Sequence, residues 1–158
     1  MADAQALEFS SVHALGSGGG YFSSVLKPAT PTDADAWVWL AYDQLHPSML
    51  SSLSLDGTVG VVLIESSAKA RRRPYHQQKL GVLLSNQRHF AVELQDAGTP
   101  VVYVSTHEGY GEALASLTAE VGPIHCIRAA ERELREEVAS LVEDGRLVEH
   151  DHPGWLTP

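Results

Sequence analysis

The sequence predicts an α/β fold, with a doubly wound, open parallel sheet of about five strands and helices on both faces. Two observations and one general rule support this prediction. Short apolar runs rich in β-branched and aromatic residues alternate with longer amphipathic runs, and the amphipathic runs end at glycines. Strands that alternate with helices are joined by right-handed crossovers, which place helices on both faces of the sheet.

The short apolar runs are predicted to be buried parallel strands. Their length of four to six residues is typical of strands in globular proteins. Four of them lie at residues 37–41, 59–64, 101–104 and 124–127, and a weaker fifth candidate lies at residues 147–150.

The amphipathic runs are predicted to be helices. In residues 75–97, apolar side chains repeat at three- and four-residue steps on one helical face, and Gly98 follows where a helix commonly ends. Two shorter stripes end at Gly122 and Gly145. The last stripe carries acidic residues outside its apolar face, which is typical of a solvated helix surface.

The first 35 residues differ in composition from the rest of the chain. They contain G-S-G-G-G at 16–20 and P-A-T-P-T-D at 28–33, as flexible or extended segments do. We therefore divide the chain into an N-terminal arm, residues 1–35, and one domain, residues 36–158. An apolar patch in the arm, which includes Tyr21 and Phe22, is expected to dock either on the domain or on a partner.

Composition excludes several classes of protein. A chain of 158 residues with 44% hydrophobic side chains can bury one real core. It has no apolar run near the ~18 residues of a membrane span and no signal peptide at its start, so we expect a cytoplasmic protein. The single cysteine, Cys126, excludes an intramolecular disulfide and is expected to be buried. A net charge of -9 argues against a broad nucleic-acid-binding surface.

Polar residues follow the first two predicted strands and begin the long helix. A helix that follows a strand starts at the carboxyl edge of the sheet, so these side chains are expected to meet there in one polar cleft. The helix N-terminus adds partial positive charge to this cleft. The candidate ligand-binding residues are Asp43, Gln44, Glu65, His76, Lys79 and Leu83.

A purely structural interpretation of the same residues also stands. In it, Asp43 caps the next segment, Glu65 pairs with Arg72 or Lys79, and His76 fills the end of the apolar stripe. Neither a catalytic motif nor a metal site is predicted, because the glycine run at 16–20 lacks the residues of a phosphate-binding loop and His150-Asp151-His152 has no further ligands nearby in sequence.

A basic run precedes the long helix, with Lys69, Arg71, Arg72 and Arg73 inside five residues. Three interpretations are open for this predicted loop. It is a nucleic-acid contact, part of a pocket for a small anionic or polar ligand, or an ordinary solvated loop.

Four features of the sequence occur together in one known family pattern: D-Q-L at 43–45, Glu65, H-Q-Q-K-L at 76–80, and R-H-F-A-V-E-L-Q-D-A-G at 88–98 followed by V-V-Y-V. In these features the chain resembles the N-terminal α/β domain of the deoxyribodipyrimidine photolyase-related proteins, the iron–sulfur bacterial cryptochromes and photolyases. The resemblance runs from about residue 36 to the closing D-H-P-G-W-L, and its most specific part is residues 76–98.

The resemblance implies a flavodoxin-like, or Rossmann-like, unit that carries a ribityllumazine antenna chromophore near the sheet edge. In that family, a helical C-terminal domain holds FAD and a four-cysteine iron–sulfur cluster. This sequence does not include that domain, so the resemblance implies no photolyase activity for this chain alone.

Three rim positions depart from the family pattern. Tyr42 stands where a glycine usually precedes D-Q-L, Lys69 and Arg72 replace an acidic residue and a tyrosine that face the antenna, and residues 128–130 replace Thr-Glu-Pro. An altered rim around a retained helix suggests a domain kept for its shape or for a changed ligand.

Three functions follow as hypotheses. The first is a non-catalytic accessory or scaffold protein that docks on a protein partner through Tyr21, Phe22, Lys69, Arg71, Arg72 and Arg73. The second is a small-molecule module that binds a ribityllumazine or a flavin through the candidate cleft. The third is a DNA-associated repair accessory that uses the basic run, and it predicts an affinity that falls steeply with salt.

Overall fold

The computed structural model describes residues 20–72 and 76–154. Strands and helices alternate over most of this length. In chain order they are α1 (Tyr21–Val25), β1 (Ala36–Trp39), α2 (Pro47–Ser51), β2 (Val59–Ser66), α3 (Ser67–Arg71), α4 (Gln77–Asp96), β3 (Val101–Thr106), α5 (Tyr110–Val121), β4 (Ile124–Ile127), α6 (Arg132–Glu143) and β5 (Leu147–His150).

The five strands form one sheet with the order β3-β2-β1-β4-β5, and every neighbouring pair is parallel. In register, Val38 of β1 lies opposite Val61 on one side and His125 on the other. This confirms the predicted fold class, including the weaker fifth strand. The chain reverses its direction of winding between β1 and β4, and doubly wound sheets bind ligands outside the carboxyl ends of the strands at such a point.

Helices cover both faces of the sheet. Since successive side chains of a strand point to opposite faces, Trp39 and Ile64 pack with α5 and α6, whereas Val38 and Leu63 pack with α1, α2 and α4. Cys126 lies in the first of these layers, and burial raises the pKa of its thiol to about 12. The prediction that this cysteine is buried is thereby confirmed.

The described part of the N-terminal arm packs on the domain. Leu26 enters the apolar layer beneath α4, and the ring edge of Phe22 meets Tyr103 at 4.8 Å between centroids. Gln95 of α4 holds the segment at two points, because its Oε1 accepts from the Lys27 backbone N–H at 2.5 Å and its Nε2 donates to the Val25 carbonyl at 3.1 Å. The apolar patch therefore docks on its own domain, one of the two expected destinations.

The basic run is partly helical, where the sequence predicted a loop. Lys69 and Arg71 lie in α3, and the Ser66 hydroxyl caps that helix by accepting from the Lys69 backbone N–H at 3.2 Å. Serine is a preferred helix N-cap. Ser66 is also the last residue of β2, and the sequence analysis did not predict a helix after it. The long helix begins at Gln77, and Gly98 follows it at φ +84°, as its predicted end required.

Within residues 20–72 and 76–154, no helix combines the length and the apolar character needed to cross a bilayer.

Candidate ligand-binding site

A cavity of about 350 Å³ lies at the carboxyl ends of the strands. Its walls come from six places: the end of β2, α3, the N-terminal part of α4, the start of α5, the segment after β1 and the segment after β4. Three leucines of α4 form most of one wall, namely Leu80, Leu83 and Leu84. Tyr42 and Tyr110 contribute aromatic surface to the lining. The cavity is therefore mainly apolar, with polar groups at a few defined positions.

The most deeply placed polar group of the cavity wall is the amide of Gln87. Its side chain is buried, with 3% of the residue exposed, and its Nε2 has no hydrogen-bond partner among the described residues. An unmade hydrogen bond at a buried donor costs about 1–3 kcal/mol. Gln87 thus places a buried donor without a described partner in the wall that also carries the leucines.

Glu65 is the penultimate residue of β2 on this same side, and Arg88 of α4 holds its carboxylate. The Arg88 Nη2 donates to Glu65 Oε1 at 2.9 Å, and its Nε donates to Oε2 at 3.1 Å. Tyr103 adds its hydroxyl to Oε2 at 2.8 Å. Burial, and then the charge of Glu65, raise the pKa of Tyr103. The structural alternative drawn from sequence paired Glu65 with Arg72 or Lys79, and this pairing was wrong.

Glu131 carries the second carboxylate of the cavity. Lys69, which is buried, forms an ion pair with Glu131 and a longer contact of 3.7 Å with Glu133. The Tyr42 hydroxyl donates to Glu131 as well. Burial, and then this bond to Glu131, raise the pKa of Tyr42. Two rim residues that depart from the family pattern, Tyr42 and Lys69, therefore meet on one carboxylate.

The predicted cleft residues separate into two groups. Glu65, Lys79 and Leu83 line the cavity together. Asp43 lies instead in a shallower depression beside Asn86, and burial raises the pKa of its carboxyl.

Gln44 and His76 have structural contacts of their own. Gln44 is buried, and its Nε2 donates to the carbonyls of Ile127 and Arg128 at 3.2 and 3.3 Å, which ties the end of β1 to the end of β4. His76 is exposed and caps α4, since its Nδ1 accepts from the Gln78 backbone N–H at 3.3 Å. Three of the six predicted residues thus line the cavity, and the other three do not.

Among the residues predicted to contact a partner, several have internal contacts. Arg72 pairs with Glu137 of α6 at 2.8 Å, and Arg71 donates to the Ser67 carbonyl at 3.3 Å. The guanidinium of Arg88 lies 5.6 Å from the ring centroid of Phe22. Tyr21 is 84% exposed. Arg73 lies outside the described residues.

Sequence reasoning missed Gln87, Arg88 and Glu131. One signal was available for Gln87, because it follows Lys79 and Leu83 at steps of four residues and so shares their face of α4. No comparable signal exists for Arg88 or Glu131, whose partners lie 23 and 62 residues away.

The described residues contain no group of three or more side chains placed to hold a metal ion. His125 and His150 form a pair of potential ligands, with the Nδ1 of His125 2.9 Å from the Nε2 of His150. Burial, and then the neighbouring His150, lower the pKa of His125.

A five-stranded parallel sheet wound in both directions, with a mainly apolar cavity at its carboxyl edge, places this chain among the doubly wound α/β domains. The family model of deoxyribodipyrimidine photo-lyase-related proteins matches residues 38–158, and the chain belongs to that family. No curated protein matches the chain significantly.

Proposed function

We propose that this domain is a small-molecule module that binds one planar heterocycle of the ribityllumazine or flavin type. The observation that carries this proposal is the apolar cavity at the carboxyl edge of the sheet, with the unpartnered amide of Gln87 in its wall. Ligand sites combine apolar walls with a few polar groups that orient the ligand, and this cavity has that composition.

The size and charge of the cavity support a single fused ring system. A volume of about 350 Å³ lies at the low end of the ~300–1,000 Å³ typical of ligand pockets. Both carboxylates of the lining have cation partners, Glu65 with Arg88 and Glu131 with Lys69. The walls around the leucines are therefore close to neutral, which favours an uncharged aromatic ring in that part of the cavity.

The experiment that tests this function is thermal denaturation of the full chain with added ribityllumazine or riboflavin. At a ligand concentration 100-fold above the dissociation constant, the expected stabilisation is about 2.7 kcal/mol. Leu83→Trp should abolish the gain because the indole fills the cavity. Val82→Trp is the matched control, since the neighbouring Val82 is 59% exposed and lies outside the lining.

Two results would count against the proposal. One is an unchanged melting temperature of the wild-type protein with either compound, together with no absorption between about 350 and 450 nm in protein purified from its own host. The other is an equal loss of binding in the Leu83→Trp and Val82→Trp variants, which would show that the cavity is not the site.

An accessory role on a protein partner is the second candidate. Tyr21 and Val82 are the two most exposed large hydrophobic residues described. Tyr21, together with Phe22, Ser85 and His89, lines an open groove between α1 and α4. Lys69 and Arg72 of the basic run have internal ion pairs, so the groove is a better candidate for docking than the basic run is. For the same reason, DNA binding through the basic run is the least supported of the three hypotheses.

The docking candidate predicts that replacing Tyr21 and His89 of the groove with Ala together removes a co-purifying protein. Both side chains are exposed, so the free energy of unfolding should change by no more than about 0.5 kcal/mol. Arg71→Ala serves as the control on α3. Retention of the same partners by the double variant, at unchanged stability, would rule out this surface.

A further inference from the structure

One face of α4 changes character along the length of the cavity. Lys79, Leu83 and Gln87 are spaced four residues apart, so they follow one another along one side of the helix, and all three line the cavity. With a rise of 1.5 Å per residue, the Cα atoms of Lys79 and Gln87 lie about 12 Å apart. The wall therefore runs from a cation, past an apolar side chain, to an amide.

The amide end is buried and offers a hydrogen-bond donor. Gln87 is 97% buried, and its Nε2 lacks a partner among residues 20–72 and 76–154. A buried donor is costly to leave without an acceptor, whereas a bound carbonyl oxygen would complete it. This end of the stripe therefore fits a ligand that carries a carbonyl group on its ring.

The other end of the stripe is exposed and positively charged. Lys79 lies in the first turn of α4, where the helix adds partial positive charge. Its ammonium makes neither a hydrogen bond nor an ion pair with the described residues, whereas Lys69, the other lysine of the lining, pairs with Glu131. Both lining carboxylates also have cationic partners. Among the described lining residues, Lys79 is therefore the charged side chain without a partner of opposite charge.

We propose that the cavity selects a phosphorylated ring ligand, one that presents a ring carbonyl to Gln87 and a phosphate monoester to Lys79. This inference rests on the proposed function and adds the class of ligand to it. A ring system joined through a short polyol chain to a phosphate has the order of groups that the stripe offers: an acceptor, an apolar middle and an anion. The unphosphorylated form of the same ligand leaves Lys79 without its contact.

The test compares flavin mononucleotide with riboflavin, which differ by the phosphate alone, in fluorescence titrations of the full chain. At low ionic strength, flavin mononucleotide should bind about tenfold more tightly, because it gains a charge-assisted hydrogen bond. This advantage should shrink in 0.5 M salt, where the exposed charge of Lys79 is screened.

Three variants locate the effect on the stripe. Lys79→Gln keeps much of the side-chain length, removes the charge and should bring flavin mononucleotide to the affinity of riboflavin. Arg71→Gln removes a cation that lies outside the cavity lining and should leave the tenfold ratio unchanged. Gln87→Leu should weaken both ligands equally, since both carry the ring carbonyl.

The outcomes separate this inference from the function on which it rests. Equal binding of the two flavins by the wild-type protein, or a preference that survives Lys79→Gln, would overturn the phosphate contact and leave the binding module standing. Failure of both flavins to bind would also overturn it. A parallel titration with ribityllumazine then decides whether the proposed function falls as well.

Discussion

The two carboxylates of the cavity are neutralised in different ways. Glu65 is the penultimate residue of a strand in the sheet and is held by Arg88 from the middle of a 20-residue helix. Glu131 precedes α6 and is held by Lys69 from α3, a helix of five residues. The guanidinium of arginine binds a carboxylate through a rigid fork, whereas lysine is a point charge on a flexible stem.

This difference divides the cavity into a firm wall and a more adaptable one. The wall at Glu65 is fixed by two donors on Arg88 and by the hydroxyl of Tyr103. The wall at Glu131 depends on Lys69 and on Tyr42, which belongs to the segment after β1. We expect the firm wall to contribute more to stability, and the adaptable wall to set which ligand fits.

The largest expected effect comes from the firm wall. Arg88→Met removes the partner of a carboxylate that is largely buried and should lower the free energy of unfolding by about 2 kcal/mol, less than for a fully buried pair because Arg88 is partly exposed. Urea denaturation measures this loss. Arg88→Lys is the control, and it should recover part of the stability because it keeps the charge without the fork.

A smaller effect is expected at the adaptable wall. Lys69→Met replaces the buried lysine by an apolar side chain of similar length and leaves Glu131 within reach of water, so the loss should be about 1 kcal/mol or less. The same urea measurement applies. A loss as large as that of Arg88→Met would contradict the division of the cavity into two walls.

The pair of His125 and His150 should have the smallest effect, seen in the dependence of stability on pH. Because the pKa of His125 is lowered in the folded protein, the unfolded chain binds more protons below about pH 6.5. The contribution of His125 is then fully present above that pH and is lost as the pH falls through the lowered pKa.

The measurement for this pair is the free energy of unfolding between about pH 7 and pH 5. The wild-type protein should lose stability as the pH falls through this range, and His125→Gln should flatten the slope. An unchanged slope in the variant would show that the pKa of His125 is not lowered in the folded protein.

Much of the fold could be predicted because it depends on local patterns. Short apolar runs predicted all five strands, and Gly98, Gly122 and Gly145 have the positive φ expected after the three longer helices. The cavity was predicted in part. Lys79 and Leu83 share a helix face by their spacing, and Glu65 belongs to the cavity through its place at the end of β2.

The remaining site residues could not be placed from the sequence. Asp43 and Gln44 are adjacent, yet one faces a surface depression while the other ties β1 to β4, because the turn after β1 sends neighbouring side chains in different directions. Short α3 was missed because its five residues carry no periodic signal.

The sequence by itself determined the alternation of strands and helices, the family of the chain and the apolar face of α4, since each is encoded by residues close together along the chain. The tertiary structure alone decided which charges are balanced. Arg88 reaches Glu65, and Lys69 reaches Glu131, only after the crossovers bring those elements to one edge of the sheet. The basic run suggested a partner surface, yet its Lys69 lines the cavity of its own domain and pairs with Glu131. The sequence could not predict this pair, because pairing between distant charges depends on the fold.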